Sequence, residues 1–273
     1  MSPSRNSRSF DFNKFVHENI SSQYNKIHPE IFNEHESNRI DSVIMQIRHN
    51  LNPDPICLDF GCCTGNITSH FLSNSLKSIS VDISQSNINY VISKFSGSSY
   101  FSDAFAISED YNELSSYTFD LIYIYSVLHH IPDYLAACEF LAQLLNPGAF
   151  LVIDHEKNSN YFSDLSRFRD LYNDLDSSSY FPRFYRKLTF RNILHRLSGI
   201  FIDPRFQIDG DIHVWPDDHI DAHAIIKSLS FMELVDHKSY FGFSSNFDYT
   251  KFLSASADAS NADTDCLILR RPK

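Results

Sequence analysis

Between Pro55 and Asp154, short apolar runs alternate with stretches of helical periodicity. No other feature of this 273-residue chain constrains its fold as strongly. The runs are Pro55–Gly61, Ser78–Asp82, Ser99–Asp103, Phe119–Tyr125 and Gly148–Asp154. Helical patterns fill 66–74, 84–95 and 134–145, and Asn146-Pro147-Gly148 reads as the turn that stops the last of them. Strands that are apolar on both faces and joined through helices build right-handed βαβ units around a parallel sheet. Residues 52–154 therefore read as five parallel strands.

The flanks follow other patterns. From Phe12 to Ile47 apolar residues recur at helical spacing, and Pro53 and Pro55 close that region. Residues 156–212 are rich in Phe, Tyr, Arg and Asp, with helices expected at 161–175 and 184–198. Pro216-Asp-Asp-His219 has the composition of a helix start, and that helix is expected to run to Leu229. Two further strands, 231–243 and 264–270, are joined by the Ser/Ala/Asp-rich stretch 253–263. The expected division is a helical cap over 1–51, a ligand-binding core over 52–155, a helical insertion over 156–212, and a last helix and strand pair over 213–273.

Charge and cysteine content narrow the function. Thirty-four acidic against 23 basic side chains give −11, a surface that repels phosphate backbones and disfavours nucleic acid as a partner. Arg183, Arg186, Lys187 and Arg191 form the best basic patch, and its simplest reading is one solvated helix face. Five cysteines without a C-x-x-C pair signal neither a disulfide framework nor a zinc site. Residues 1–20 lack an apolar signal core, and no run of 18 apolar residues predicts a membrane span. A reducing cytoplasm is the expected location.

Glycine is scarce, seven where average usage gives roughly 19. Two of the seven, Gly61 and Gly65, flank a strand-to-helix loop, Leu58-Asp-Phe-Gly-Cys-Cys-Thr-Gly-Asn66. Glycine there lets backbone approach a ligand at a helix N-terminus. The i, i+4 spacing differs from the dinucleotide G-x-G-x-x-G, and no Gly-Lys-Ser/Thr follows to make a P-loop. An anionic Asp59 beside the loop suits a cationic ligand better than a pyrophosphate.

This stretch resembles motif I of class I S-adenosylmethionine-dependent methyltransferases, acid-x-G-x-G-x-G, with Cys63 at the middle glycine. Three more landmarks follow in order over about 100 residues. Asp82 ends the second strand, Ser126-Val-Leu-His-His-Ile-Pro-Asp133 resembles the "LHH-I-x-D" segment, and Asn146-Pro-Gly-Ala-Phe-Leu-Val-Ile resembles the lead into strand five. The resemblance implies a Rossmann-like, doubly wound α/β fold. Its sheet would have seven mostly parallel strands with an antiparallel C-terminal strand, and a helical insertion would form an acceptor lid. It implies S-adenosylmethionine as cofactor, S-adenosylhomocysteine as product, and cofactor binding weakened rather than lost at Cys63.

The resemblance also assigns the site. Asp59, Gly61, Cys62 and Gly65 would hold the cofactor, Asp82 and Ile83 its ribose, Asp103 and Ala104 its adenine, and Ser126 would complete the wall. His129 would be a general base, an imidazole titrating in the useful range; it also has a purely structural reading. Tyr24, His130, His155 and Trp215 are candidates for the acceptor pocket. His219 and His223 could share a helix face with Asp217 or Asp218, but helix capping accounts for them and no metal is expected. Two functions stay open. One is a methyltransferase acting on a small-molecule or lipid-linked acceptor, and the other is a non-catalytic relative that binds the cofactor or serves as a structural partner. Oligomeric state is not legible.

Overall fold

The computed structural model describes residues 10–11, 13–14, 17–18, 31–177, 220–244 and 246–273. Seven strands form one sheet: β1 (Ile56–Phe60), β2 (Lys77–Asp82), β3 (Phe101–Ala106), β4 (Phe119–Tyr125), β5 (Leu145–Lys157), β6 (Glu233–Tyr240) and β7 (Thr264–Arg270). Their order is β3-β2-β1-β4-β5-β7-β6. The first five strands are parallel, and β7 lies antiparallel between β5 and β6. This is the expected mostly parallel sheet with an antiparallel C-terminal strand. The order reverses between β1 and β4, the switch point where ligands bind in open α/β sheets.

Successive residues of the central strands point to opposite faces and bury both. Leu58, Phe60, Ile122, Ile124, Leu151 and Ile153 pack under α4 (Tyr134–Gln143) and α7 (Ala222–Ser228). Cys57, Leu121, Tyr123, Phe150 and Val152 pack under α1 (Glu34–Arg48) and α2 (Asn66–Ser73). Each fully buried Leu, Ile or Phe contributes about 1.5–3 kcal/mol. The apolar spacing of α1 presents Ile40, Val43, Ile44 and Ile47 as one buried stripe. Between β2 and β3, α3 (Gln85–Phe95) starts at Ser84, whose hydroxyl accepts from the Asn87 N–H.

Several expected boundaries move: the helix expected from Pro216 starts at Ala222 behind its Asp221 cap, and β6 fills only Glu233–Tyr240 of the expected 231–243. β3 runs to Ala106 rather than ending at Asp103, because its pairing with β2 continues to Asp82↔Ala106. The helix before β5 stops at Gln143, and Leu145–Pro147 already belong to the strand. The stretch 253–263 is not a plain connector, since it holds the end of α8 (Tyr249–Ser256) and a 3-10 turn at Ala259–Asn261. The described start of the 156–212 segment forms α5 (Ser159–Ser163) and α6 (Leu165–Leu175). Phe168 and Leu175 there share a buried cluster with Phe241 and Phe252. Among the described residues no helix is long and apolar enough to cross a membrane.

Candidate active site

β1 ends at Phe60, and the chain turns through Gly61 at φ 74°. Gly61 and Cys62 N–H groups both donate to the Val81 carbonyl at 2.9 Å, which ties the loop to β2. A Cβ on Gly61 would lie 2.5 Å from Val127 Cγ2, and one on Gly65 (φ 78°) would lie 2.5 Å from Phe95 Cε2. Only glycine fits either place. Cys63 has φ 45°, so it takes a left-handed conformation that costs an L-residue about 1–2 kcal/mol. The loop thus keeps a glycine-like course despite its thiol.

Asp82 ends β2 facing this loop and is almost fully buried. Its Oδ2 accepts from the Cys63 N–H at 2.8 Å, and its Oδ1 accepts from the Ser84 N–H at 2.8 Å and from Asn87 Nδ2 at 3.2 Å. Three donors hold the carboxylate in one orientation. Asp59, two residues before Gly61, accepts from the Thr68 N–H (2.8 Å) and hydroxyl (2.6 Å) at the first turn of α2. Burial pushes the Asp59 carboxyl up, the Thr68 bonds pull it back, and the charge of Asp82 raises it again, to about 7.

The opposite wall leaves β4. Ser126 also sits at positive φ (56°), and its N–H donates to the Asp154 carbonyl. A 3-10 turn, Leu128–His130, follows. Glu156, at the end of β5, supports that turn: Oε1 accepts from the N–H groups of Val127 (2.8 Å) and Leu128 (2.7 Å), and Oε2 meets His129 Nδ1 at 2.8 Å. The Tyr125 hydroxyl donates to Glu36 of α1. Glu36 also takes the Arg39 guanidinium, which reaches Asp154 Oδ2 at 2.8 Å. The hydroxyls of Tyr123 and Tyr240 close the network on Asp154. Burial pushes the Glu36 carboxyl up. Arg39, His155 and the Tyr125 hydroxyl more than reverse this and bring it to about 2.

Between these walls lies a cleft of about 1070 Å³, its open mouth included. Asp59, Gly61, Cys62, Asp82, Ile83, Ser126 and His130 line it, as sequence reasoning expects. Gly65 stands behind the loop against Phe95 and does not line it. Asp103 and Ala104 are not on its wall either. Asp103 lies mid-strand with its carboxylate on the Ala104 N–H, and the longer β3 delivers Ile107 and Glu109 to the cleft instead. His129 faces Glu156 rather than the cleft, and His155 is partly buried and stacked on Tyr125 at 4.9 Å, its imidazole pulled down by desolvation. Tyr24, Trp215, His219 and the basic patch at 183–191 lie outside the described residues.

Sequence reasoning missed several lining residues: Ile31 and Phe32 ahead of α1, Phe10, Asn13 and His17 near the N-terminus, and Tyr111 and Tyr125. The aromatic content of 10–32 was the available signal. Glu18, in the same N-terminal segment, accepts from the N–H groups of Gln85 (2.7 Å) and Ser86 (3.0 Å) at the start of α3. Among the described residues the wall carries the carboxylates of Asp59, Asp82 and Glu109 and no Lys or Arg. It is an anionic, largely apolar cleft, which fits a cationic ligand. Among the described residues no group of three His, Cys, Asp or Glu is arranged to hold a metal.

A glycine loop at the switch point, an oriented acid ending β2 and this strand order define a class I S-adenosylmethionine-dependent methyltransferase fold. The family model described as a methyltransferase domain matches residues 32–197, more than half of the chain, and the chain belongs to that family. S-adenosylmethionine is the cofactor this membership implies. Solved structures share the fold at low identity. The magnesium protoporphyrin IX methyltransferase ChlM from Synechocystis PCC 6803 with bound S-adenosylhomocysteine is 13% identical, with a TM-score of 0.57 over 96% of this chain and 99% of that one. The N-methyltransferase NodS from Bradyrhizobium japonicum WM9 in complex with S-adenosylhomocysteine is 14% identical, with a TM-score of 0.54 over 97% and 99%. A methyltransferase from Anabaena variabilis ATCC 29413 is 13% identical, with a TM-score of 0.59 over 99% and 97%. No curated protein matches the chain in sequence.

Proposed function

We propose that the chain transfers a methyl group from S-adenosylmethionine to a small-molecule or lipid-linked acceptor in the cytoplasm. The observation that carries this reading is the Asp82 carboxylate, locked by three donors beside a loop that only glycine can form. An acid held that way accepts hydrogen bonds from a ribose diol. Gly61 admits the ligand to the backbone, and Ile83, Ile107 and Glu109 take the adenine side in place of Asp103 and Ala104. When bound, the cofactor supplies an activated sulfonium methyl. The protein's remaining work is alignment and, for a hydroxyl or amine, removal of a proton. His130 takes that role because it lines the cleft, whereas His129 does not.

The enclosed apolar and aromatic walls favour a small acceptor over a nucleic acid. The names of ChlM and NodS agree with that, as a porphyrin methyltransferase and an N-methyltransferase. The domain division expected from sequence stands as part of this proposal, with the cap, the core and the 156–212 segment as the acceptor lid.

Calorimetric titration of S-adenosylmethionine and S-adenosylhomocysteine tests the cofactor step. Micromolar binding, lost in Asp82→Ala and in Gly61→Arg, is the expected result. Production of S-adenosylhomocysteine with amine or phenol probes, lost in His130→Asn, tests the chemistry. Binding without turnover across the probes would favour the non-catalytic relative, and no binding by folded wild-type protein would end the reading.

A further inference from the structure

Glu156 is only 2% exposed, and both of its oxygens hold the 127–129 turn, whose Val127 lines the cleft. One oxygen accepts from both Val127 and Leu128 N–H groups. That fixes the Val127 backbone, and the Val127 side chain occupies the space beside Gly61 that any Cβ there would need. The other oxygen meets His129 Nδ1. A carboxylate can only accept, so Nδ1 carries the proton. The His129 ring lies 4.0 Å, centroid to centroid, from that of His130, which lines the cleft.

We propose that Glu156 is a positioning residue, holding the glycine loop's opposing wall through one oxygen and setting the His129 tautomer behind His130 through the other. The proposal rests on the methyltransferase reading above. Glu156 does not line the cleft; its effect passes through Val127 and through the two imidazoles. Among the described residues, the ionisable groups near it include His129 and His130 on the 3-10 turn, Cys138 on α4, and His17 of the N-terminal segment, whose ring is 6.1 Å from that of His130. Burial, with the charge of Glu156 adding, pushes the Cys138 thiol up, so it stays protonated and does not compete for the pair.

The two oxygens can be tested separately in the full chain. Glu156→Gln keeps a carbonyl for the two backbone donors but presents an amide N–H to His129, which forces Nδ1 to give up its proton. Glu156→Ala removes both functions. Imidazole ¹⁵N spectra of the ligand-free protein should show the His129 Nδ1–H tautomer in wild type and its loss in Glu156→Gln. Affinity for S-adenosylhomocysteine should stay within about threefold in Glu156→Gln and fall tenfold or more in Glu156→Ala. Val127→Ala should fall with the latter.

An unchanged His129 tautomer in Glu156→Gln, or wild-type affinity in a folded Glu156→Ala, would overturn the proposal. If Glu156→Ala does not fold, the Glu156→Gln spectrum and Val127→Ala decide. If wild-type protein does not bind S-adenosylhomocysteine, the cofactor reading fails, while the tautomer measurement still judges the Glu156–His129 pair.

Discussion

Replacing Arg39 by Met probes the buried network that docks α1 onto the sheet. The methionine keeps a stem beside the Tyr240 ring, which Arg39 covers at 4.2 Å, and removes the guanidinium charge with its hydrogen bonds to Glu36 and Asp154. Glu36 and Asp154, 1% and 0% exposed, then lose the cation they share. Breaking a buried ion pair from one side costs about 3–5 kcal/mol. With a urea m value of about 3 kcal/mol/M for a chain this long, the midpoint at pH 7 should fall by about 1–2 M.

The pH dependence supplies an independent check. In the wild type the Glu36 carboxyl is held at about 2 against an ordinary 4.5, a difference equivalent to about 3 kcal/mol. Because the folded value is depressed, that stability is full above 4.5 and disappears as pH falls toward 2. Without Arg39, burial dominates and the carboxyl takes up a proton in the folded state. The variant's contribution from Glu36 then decreases as pH rises. Urea titrations followed by circular dichroism should show a wide gap between the two proteins at pH 7 that narrows at pH 4. A gap below about 1 kcal/mol at pH 7, or one that does not narrow, would refute this account of the network.

Three further outcomes are expected. Gly61→Ala combines a left-handed φ with a 2.5 Å clash against Val127, so it should lose about 2–4 kcal/mol, lower Tm by about 5–15 °C, and weaken S-adenosylhomocysteine at least tenfold. An unchanged melting curve would show that the Val127 wall gives way. With the Asp59 carboxyl near 7, binding of the cationic S-adenosylmethionine should strengthen between about pH 6 and 8, and calorimetry on Asp59→Asn should find that dependence gone. Glu18→Ala removes the acceptor at the start of α3 and should cost about 1 kcal/mol. Since Phe10, Asn13 and His17 of that segment line the cleft, S-adenosylhomocysteine should dissociate about fivefold faster in stopped flow, and an unchanged rate would uncouple segment from cleft.

The glycine loop and the acid ending β2 were legible because their signals are local. Strand, turn and helix N-terminus occupy the consecutive residues Ile56 to Asn66, and Asp82 follows at the end of the next strand. Buried parallel strands also announce themselves by continuous apolar runs, which is why β1 and β4 lie close to their expected places, and the buried antiparallel β7 does the same. An edge strand carries no such run. β3 has only one buried residue, so its end was set by hydrogen bonding to β2, and the cleft received Glu109 rather than Asp103.

Tertiary structure alone decided the rest. Arg39 and Asp154 are 115 positions apart, and nothing in either neighbourhood announces their pairing. The order of His129 and His130 depended on a 3-10 turn. The two rings touch at 4.0 Å, but His129 is held on Glu156 while His130 reaches the cleft. The amino-acid sequence by itself determined the sheet and the glycine loop that lines the cleft, because periodicity and backbone freedom act over a few residues. Which imidazole lines the cleft, and which buried charges hold α1 on the sheet, came from packing between distant segments.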